Sequence, residues 1–190
     1  YYWKVKVNTN IGEASWSETA FWGMGLLGEN RWKGRWIGLE KASPWDDESQ
    51  WSRLSARYLR KEFTLGKEIK QATVHISGLG LYELFINGKR VGDQVLAPAP
   101  TDYRKTLLYN SYDVTGLLHA QNDNAVGVTL GNGRMYTMRQ GFKQYKTNDY
   151  GYPQLRLNLI IEYADGSQET IASDTDWKLS ADDPIRNNNE

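Results

Sequence analysis

The sequence predicts an all-β protein, a jelly-roll β-sandwich, on three observations. Residues 81–96 place β-type runs on either side of Asn87-Gly88, and Asn-Gly tolerates positive φ at both central turn positions, the strongest short-range hairpin signal a sequence carries. In the first run Tyr82, Leu84 and Ile86 share a wholly apolar face, while Leu81, Glu83 and Phe85 form a mixed one. That is the pattern of a strand whose sheet packs on a second sheet. From Ala56 onward eight short runs recur with turn signals between them, the rhythm of a sandwich.

Taken in chain order, residues 2–7 alternate as a strand, 9–12 read as its turn, and 15–17 with 20–22 as the returning strand. A lone hairpin is marginal in water, so residues 1–27 are expected to belong to a preceding domain or to dock on the residues after them. Residues 28–55 are rich in Gly, Trp and charge, with Trp32, Trp36, Trp45 and Trp51 at irregular spacing. They read as a linker packed on the main domain by its aromatics. The main domain, 56–190, is predicted to carry strands at 57–64, 71–77, 81–86, 104–112, 124–130, 154–163, 169–173 and 177–180. Ala164-Asp165-Gly166 marks a hairpin turn, and 113–118 reads as a one-turn helix capped by Asp113 or Thr115. The irregular segment 131–153 exceeds ordinary loop lengths, and such loops are disproportionately functional.

Composition bounds the function. A chain of 190 residues buries the core of one ordinary domain with a small appendage. Twenty-three Lys and Arg balance 23 Asp and Glu, leaving no net field to attract nucleic acid or an anionic membrane. Cysteine is absent, which excludes disulfides, thiolate zinc sites and cysteine nucleophiles. The compartment stays open, with a periplasmic or extracellular setting favoured. No apolar run approaches the roughly 20 residues of a membrane span, and Tyr1 does not begin a signal peptide, so no membrane association is expected. Eight Trp and 12 Tyr stand against four Phe. Such amphipathic rings suit domain interfaces and half-buried sandwich surfaces, and also sugar stacking.

The runs Trp32-Lys33-Gly34-Arg35-Trp36-Ile37-Gly38, Ala56-Arg57-Tyr58-Leu59-Arg60-Lys61-Glu62-Phe63 and 76–93 resemble the N-terminal part of bacterial α-L-rhamnosidases. Thr101-Asp102-Tyr103-Arg104-Lys105, Tyr112-Asp113-Val114-Thr115 and Gly131-Asn132-Gly133 continue the resemblance in the same order. The resemblance implies a galactose-binding-like accessory sandwich of a glycoside hydrolase. Residues 1–27 are similar to the last strands of the fibronectin-like domain that often precedes it. It also implies that a final sandwich strand and a catalytic α-helical barrel, the domain's partner, come after Asp183-Pro184-Ile185-Arg186. The expected function is thus a non-catalytic accessory domain; the rivals are a calcium-dependent module for L-rhamnose-containing glycans and a purely structural interdomain spacer.

The resemblance points to two candidate sites. In some members this module binds L-rhamnose through calcium, and Asp93 with Gln94 supplies one carboxylate and one amide oxygen, ligands of the kind calcium takes. Where the family's usual loop is Gly-Asp-Gly-Trp-Tyr, this chain has Gly131-Asn132-Gly133-Arg134-Met135-Tyr136. Asn132, Arg134 and Tyr136 are the candidate sugar contacts, in a loop that also holds Arg139, Gln140, Phe142, Tyr145, Tyr150 and Tyr152. The alternative is that these aromatics dock the loop on the sandwich or on the catalytic domain.

Catalytic chemistry finds no constellation. Glycoside hydrolysis needs two carboxyls across a cleft; Glu83 reads as a residue on the less buried face of its strand, and Asp174, Asp176, Asp182 and Asp183 as solvated turn formers. His75 is expected half-exposed in a strand and His119 at a helix end, where cations are favoured. Gly131-Asn132-Gly133 lacks the third Gly and the Lys of phosphate-binding loops. Lys89-Arg90 and Arg104-Lys105 show no interleaved aromatics for nucleobases.

Overall fold

The computed structural model describes residues 1–12, 15–44, 46, 54–136, 151–182 and 185. The chain forms two compact units, Tyr1–Arg31 and Trp32–Glu190. The first is a ladder in which β1 (Tyr2–Trp3) pairs antiparallel with β2 (Ala20–Phe21). Bridges Lys6↔Trp16 and Thr9↔Gly12 extend it toward the expected turn. Tyr1 stacks on Trp22 at 4.6 Å, and Lys4 lies 5.0 Å over the Trp16 ring.

The second unit is a β-sandwich. Its strands are β3 (Ile37–Gly38), β4 (Arg57–Thr64), β5 (Ile69–Leu79), β6 (Leu81–Ile86), β7 (Lys89–Arg90), β8 (Asn110–Asp113), β9 (Asp123–Gly131), β10 (Gln154–Tyr163), β11 (Gln168–Ala172) and β12 (Lys178–Ser180). One sheet runs β11-β10-β5-β8, with β3 also on β10, and the other β12-β4-β9-β6-β7. The chain passes between the sheets at nearly every step, the jelly-roll pattern. Period-two alternation decides which residues meet between the sheets. Leu155, Leu157, Leu159 and Ile161 join Val74 and Ile76 against Leu59, Val126, Val128, Leu130, Leu84 and Ile86, all buried in one core.

Two local expectations are corrected. Residues 104–109 are not strand: Asp102 carbonyl accepts from Lys105 and Thr106 N–H at 2.8 and 3.0 Å, closing a turn, and β8 begins only at Asn110. His75 is 5% exposed rather than half-exposed, because Tyr109 packs edge-on at 6.0 Å and Ser111 Oγ meets Nδ1 at 2.7 Å. β3 lies within the stretch read as a packed linker, in the compact unit Trp32–Glu190. Asp113 does organise its turn: Oδ1 accepts from Thr115 N at 2.9 Å, ahead of a 3-10 turn at Thr115–Leu117.

The Asn87-Gly88 turn has φ of 50° and 77°, the left-handed pair of a type I′ hairpin. Asn87 also ties the hairpin to β9 and to the 3-10 turn. Its Oδ1 accepts from Ala125 N at 2.8 Å and its Nδ2 donates to Leu117 O at 2.9 Å. A Cβ at Gly88 meets nothing within 4 Å, so the cost of Gly88→Val is conformational alone, roughly 1–3 kcal/mol. The expected melting temperature is correspondingly lower; one unchanged within error contradicts the left-handed assignment.

Candidate functional site

The loop after β9 starts with a tight turn in which Asn132 O accepts from Met135 N at 3.1 Å. Asn132 is 1% exposed and its Nδ2 donates to Leu54 O at 3.1 Å. Tyr136, 5% exposed, stacks on Tyr152 at 5.7 Å and 17°. The turn therefore holds two of the three expected sugar contacts inside the fold, where they fix the loop, and leaves Arg134 exposed. Arg139, Gln140, Phe142, Tyr145 and Tyr150 lie outside the described residues.

Asp93 and Gln94 sit in an exposed bend after β7. Gln94 Oε1, the expected calcium ligand, already accepts from Asn110 Nδ2 at 2.9 Å and from Tyr112 OH at 3.2 Å. Asn110 Nδ2 also donates to Tyr82 OH at 2.8 Å. Burial, with the Tyr112 hydroxyl alongside, pushes the Tyr82 phenol well above its ordinary value. The group acts as a neutral hydrogen-bonding brace. Among the described residues no cluster of three or more His, Cys, Asp or Glu is placed to hold a metal.

The acidic and histidine candidates stand apart. Glu83 pairs with Arg90 at 3.4 Å, and both oxygens of Asp174 accept from Lys61 Nζ at 2.8 Å. Burial holds the His75 imidazole below its ordinary value, which keeps it neutral beside Ser111.

Two assemblies had no local signal in the sequence. On the outer face of the first sheet, Arg156 lies 5.0 Å over the Trp32 ring, and Trp32 meets Tyr109 edge-on at 5.5 Å. At the sandwich edge, β3 and the turn before β12 bring Trp36 and Trp177 to one cleft. Nothing in the spacing of residues 36 and 177 joins them.

Against known proteins, the family model described as "Alpha-L-rhamnosidase N-terminal domain" matches residues 67–190. The chain belongs to this family. An α-L-rhamnosidase of Formosa agariphila is 38% identical over 99% of the chain and 22% of its own length. The structure of an α-L-rhamnosidase from Dictyoglomus thermophilum superposes with a TM-score of 0.74 at 39% identity, over 95% of this chain and 20% of that one. The native α-L-rhamnosidase of Aspergillus terreus gives 0.77 at 37% identity, over 88% and 19%. The chain thus spans about a fifth of the length of the curated relatives it matches first. As an α-L-rhamnosidase N-terminal domain it is the all-β sandwich the resemblance implied.

Proposed function

We propose that the chain is a non-catalytic accessory domain that supports the catalytic α-helical barrel of an α-L-rhamnosidase. The observation that carries this reading is the match along nearly the whole chain to only about a fifth of each relative. The site chemistry agrees with it. Hydrolysis with retention or inversion needs two opposed carboxyls, one kept protonated by its surroundings. Here Asp174 is drawn the other way: burial raises its pKa, but the Lys61 ammonium and the Asp176 N–H outweigh that and hold it below the carboxylate norm. A carboxyl held ionised cannot donate a proton to a leaving group.

The expected outcome is no turnover of an aryl α-L-rhamnoside by residues 1–190. Hydrolysis that survives repurification and disappears on changing Glu83 or Asp93 overturns the reading.

A further inference from the structure

We infer that Asn87-Gly88 is a modification site, a deamidation site that a lock of amide hydrogen bonds keeps closed and that acts as a one-way switch once it is used. This goes beyond the accessory role and does not depend on it. The reaction is intrinsic to Asn-Gly, because a glycine after asparagine leaves its N–H unshielded. Gly88 N gives its proton to solvent base and bonds to Asn87 Cγ; the Cγ–Nδ2 bond breaks and ammonia leaves. Water then opens the resulting imide at either carbonyl, giving aspartate or, with the backbone rerouted through Cβ, isoaspartate.

The chain holds two such pairs, Asn87-Gly88 and Asn132-Gly133, and the fold treats them differently. Asn132 and Gly133 are both buried, and a Cβ at Gly133 would already stand 2.8 Å from the Leu81 side chain. Neither water nor the motion of cyclisation has room there. Gly88 lies at an exposed tip, where a Cβ meets nothing within 4 Å, so water and base reach it. What restrains Asn87 is its hydrogen bonding.

Those bonds take up the whole amide. Oδ1 accepts from Ala125 N at 2.8 Å, and Nδ2 donates to Leu117 O at 2.9 Å and to Asn124 Oδ1 at 2.8 Å. The backbone adds Asn87 N to Ala125 O at 2.9 Å. For Cγ to swing onto Gly88 N, the side chain must leave its acceptors and its donor together. Asn124 anchors the lock from outside the hairpin. It is 3% exposed; its Oδ1 also accepts from His119 N at 2.8 Å, and its Nδ2 donates to His119 O at 2.9 Å and Asn122 O at 3.0 Å. With both donors committed, it offers only an oxygen to Asn87.

The same geometry stops the lock from closing again. A carboxylate at position 87 has no donor, so it sets an oxygen against Leu117 O and Asn124 Oδ1, and those contacts turn repulsive. Isoaspartate adds a backbone carbon to a two-residue turn and breaks the I′ geometry.

The test holds residues 1–190 in mildly alkaline buffer, folded and in concentrated urea, and follows ammonia loss and isoaspartate at each Asn-Gly by peptide mass spectrometry. In urea both sites are expected to react at similar rates. In the folded chain Asn87 is expected to react about tenfold or more slowly than in urea, since reaction waits on local opening, and Asn132 more slowly still. Asn124→Ala is expected to speed Asn87 by about tenfold, the opening that one buried amide hydrogen bond controls. It is expected to leave Asn132 unchanged, which separates release of the lock from general unfolding. Asn87→Asp is expected to melt at a lower temperature than the unaltered chain. The folded-against-urea comparison and Asn87→Asp decide the matter even where Asn124→Ala folds poorly. The proposal is overturned if folded Asn87 reacts at its urea rate, if Asn132 reacts first, or if Asn87→Asp melts as the unaltered chain does. It is equally overturned if a folded Asn124→Ala chain gains speed at both sites or at neither.

Discussion

Replacing Arg57 with alanine is expected to lower the melting temperature by roughly 6–12 °C, from a loss of about 3 kcal/mol. The Arg57 and Asp46 side chains are 1% and 0% exposed, with Nη2 3.4 Å from Oδ2. At that separation the ion pair alone does not explain a buried guanidinium. Its shorter bonds run to backbone: Nη1 donates to Ser55 O at 2.7 Å and Nη2 to Lys41 O at 3.2 Å. Asp46 in turn accepts from Ser43 N at 2.6 Å and from Ser55 N and Oγ, each at 2.7 Å. Arg57 thus gathers the segment before β4 onto the sandwich. Even so, its Nε donates to nothing among the described residues, one reason to place the loss at the lower end of what breaking a buried pair costs. Arg57→Lys keeps a charge but cannot reach both carbonyls, and an intermediate loss is expected.

The pH dependence separates this account from simple loss of packing. Burial pushes the Asp46 carboxyl up, yet the Ser43 and Ser55 hydrogen bonds and the Arg57 charge prevail and hold it below its ordinary value. Its stabilising contribution is therefore present above the unfolded-state pKa and lost as pH falls through the lower native one. Without Arg57, burial acts on Asp46 with less opposition, so protonation relieves the variant. The deficit should be widest near neutral pH and narrow on acidification through the carboxylate range. A deficit that is constant with pH assigns the effect to lost packing instead.

What the sequence revealed and what it hid divide along the distance between interacting residues. β4, β6 and β10 were legible to both ends, because alternation and flanking turn residues are local signals. The strand expected at 104–112 failed for the same locality: Leu107 and Leu108 give the run local apolar character but are 37% and 42% exposed. The burial of His75 depends on Tyr109, 34 positions later, and no periodicity around 75 foretells it. The loop at 131–136 was picked out by its glycines and aromatics. Its sequence could not say that Asn132 and Tyr136 turn inward, since their partners are Leu54 and Tyr152. The clearest case is 32–38, which reads as linker because its partners in the sheet lie more than 110 positions away.

That segment yields the second large effect, a loss of roughly 3 kcal/mol for Gly34→Ala, from overpacking against backbone together with hydrogen bonds given up. A Cβ at Gly34 would stand 2.3 Å from Leu157 O, 2.7 Å from Ser173 Oγ and 3.1 Å from Asn158 Oδ1. The nearest of these is the carbonyl of a central strand, which cannot yield without opening the sheet. The chain around Gly34 must lift instead. Lifting it breaks Gly34 N to Asn158 Oδ1 at 2.7 Å, Arg156 Nε to Gly34 O at 2.8 Å and Arg35 N to Ser173 O at 2.7 Å. It also draws Trp32 off Arg156 and Tyr109. Gly66→Ala is the control, since nothing lies within 4 Å of a Cβ there and the removed backbone freedom makes it neutral or slightly stabilising. In urea titrations followed by tryptophan fluorescence, Gly34→Ala is expected to unfold at a clearly lower midpoint with a red-shifted native spectrum. Coincident midpoints for the two variants would show that 32–38 is a loosely attached strap after all, and not a built part of the sheet.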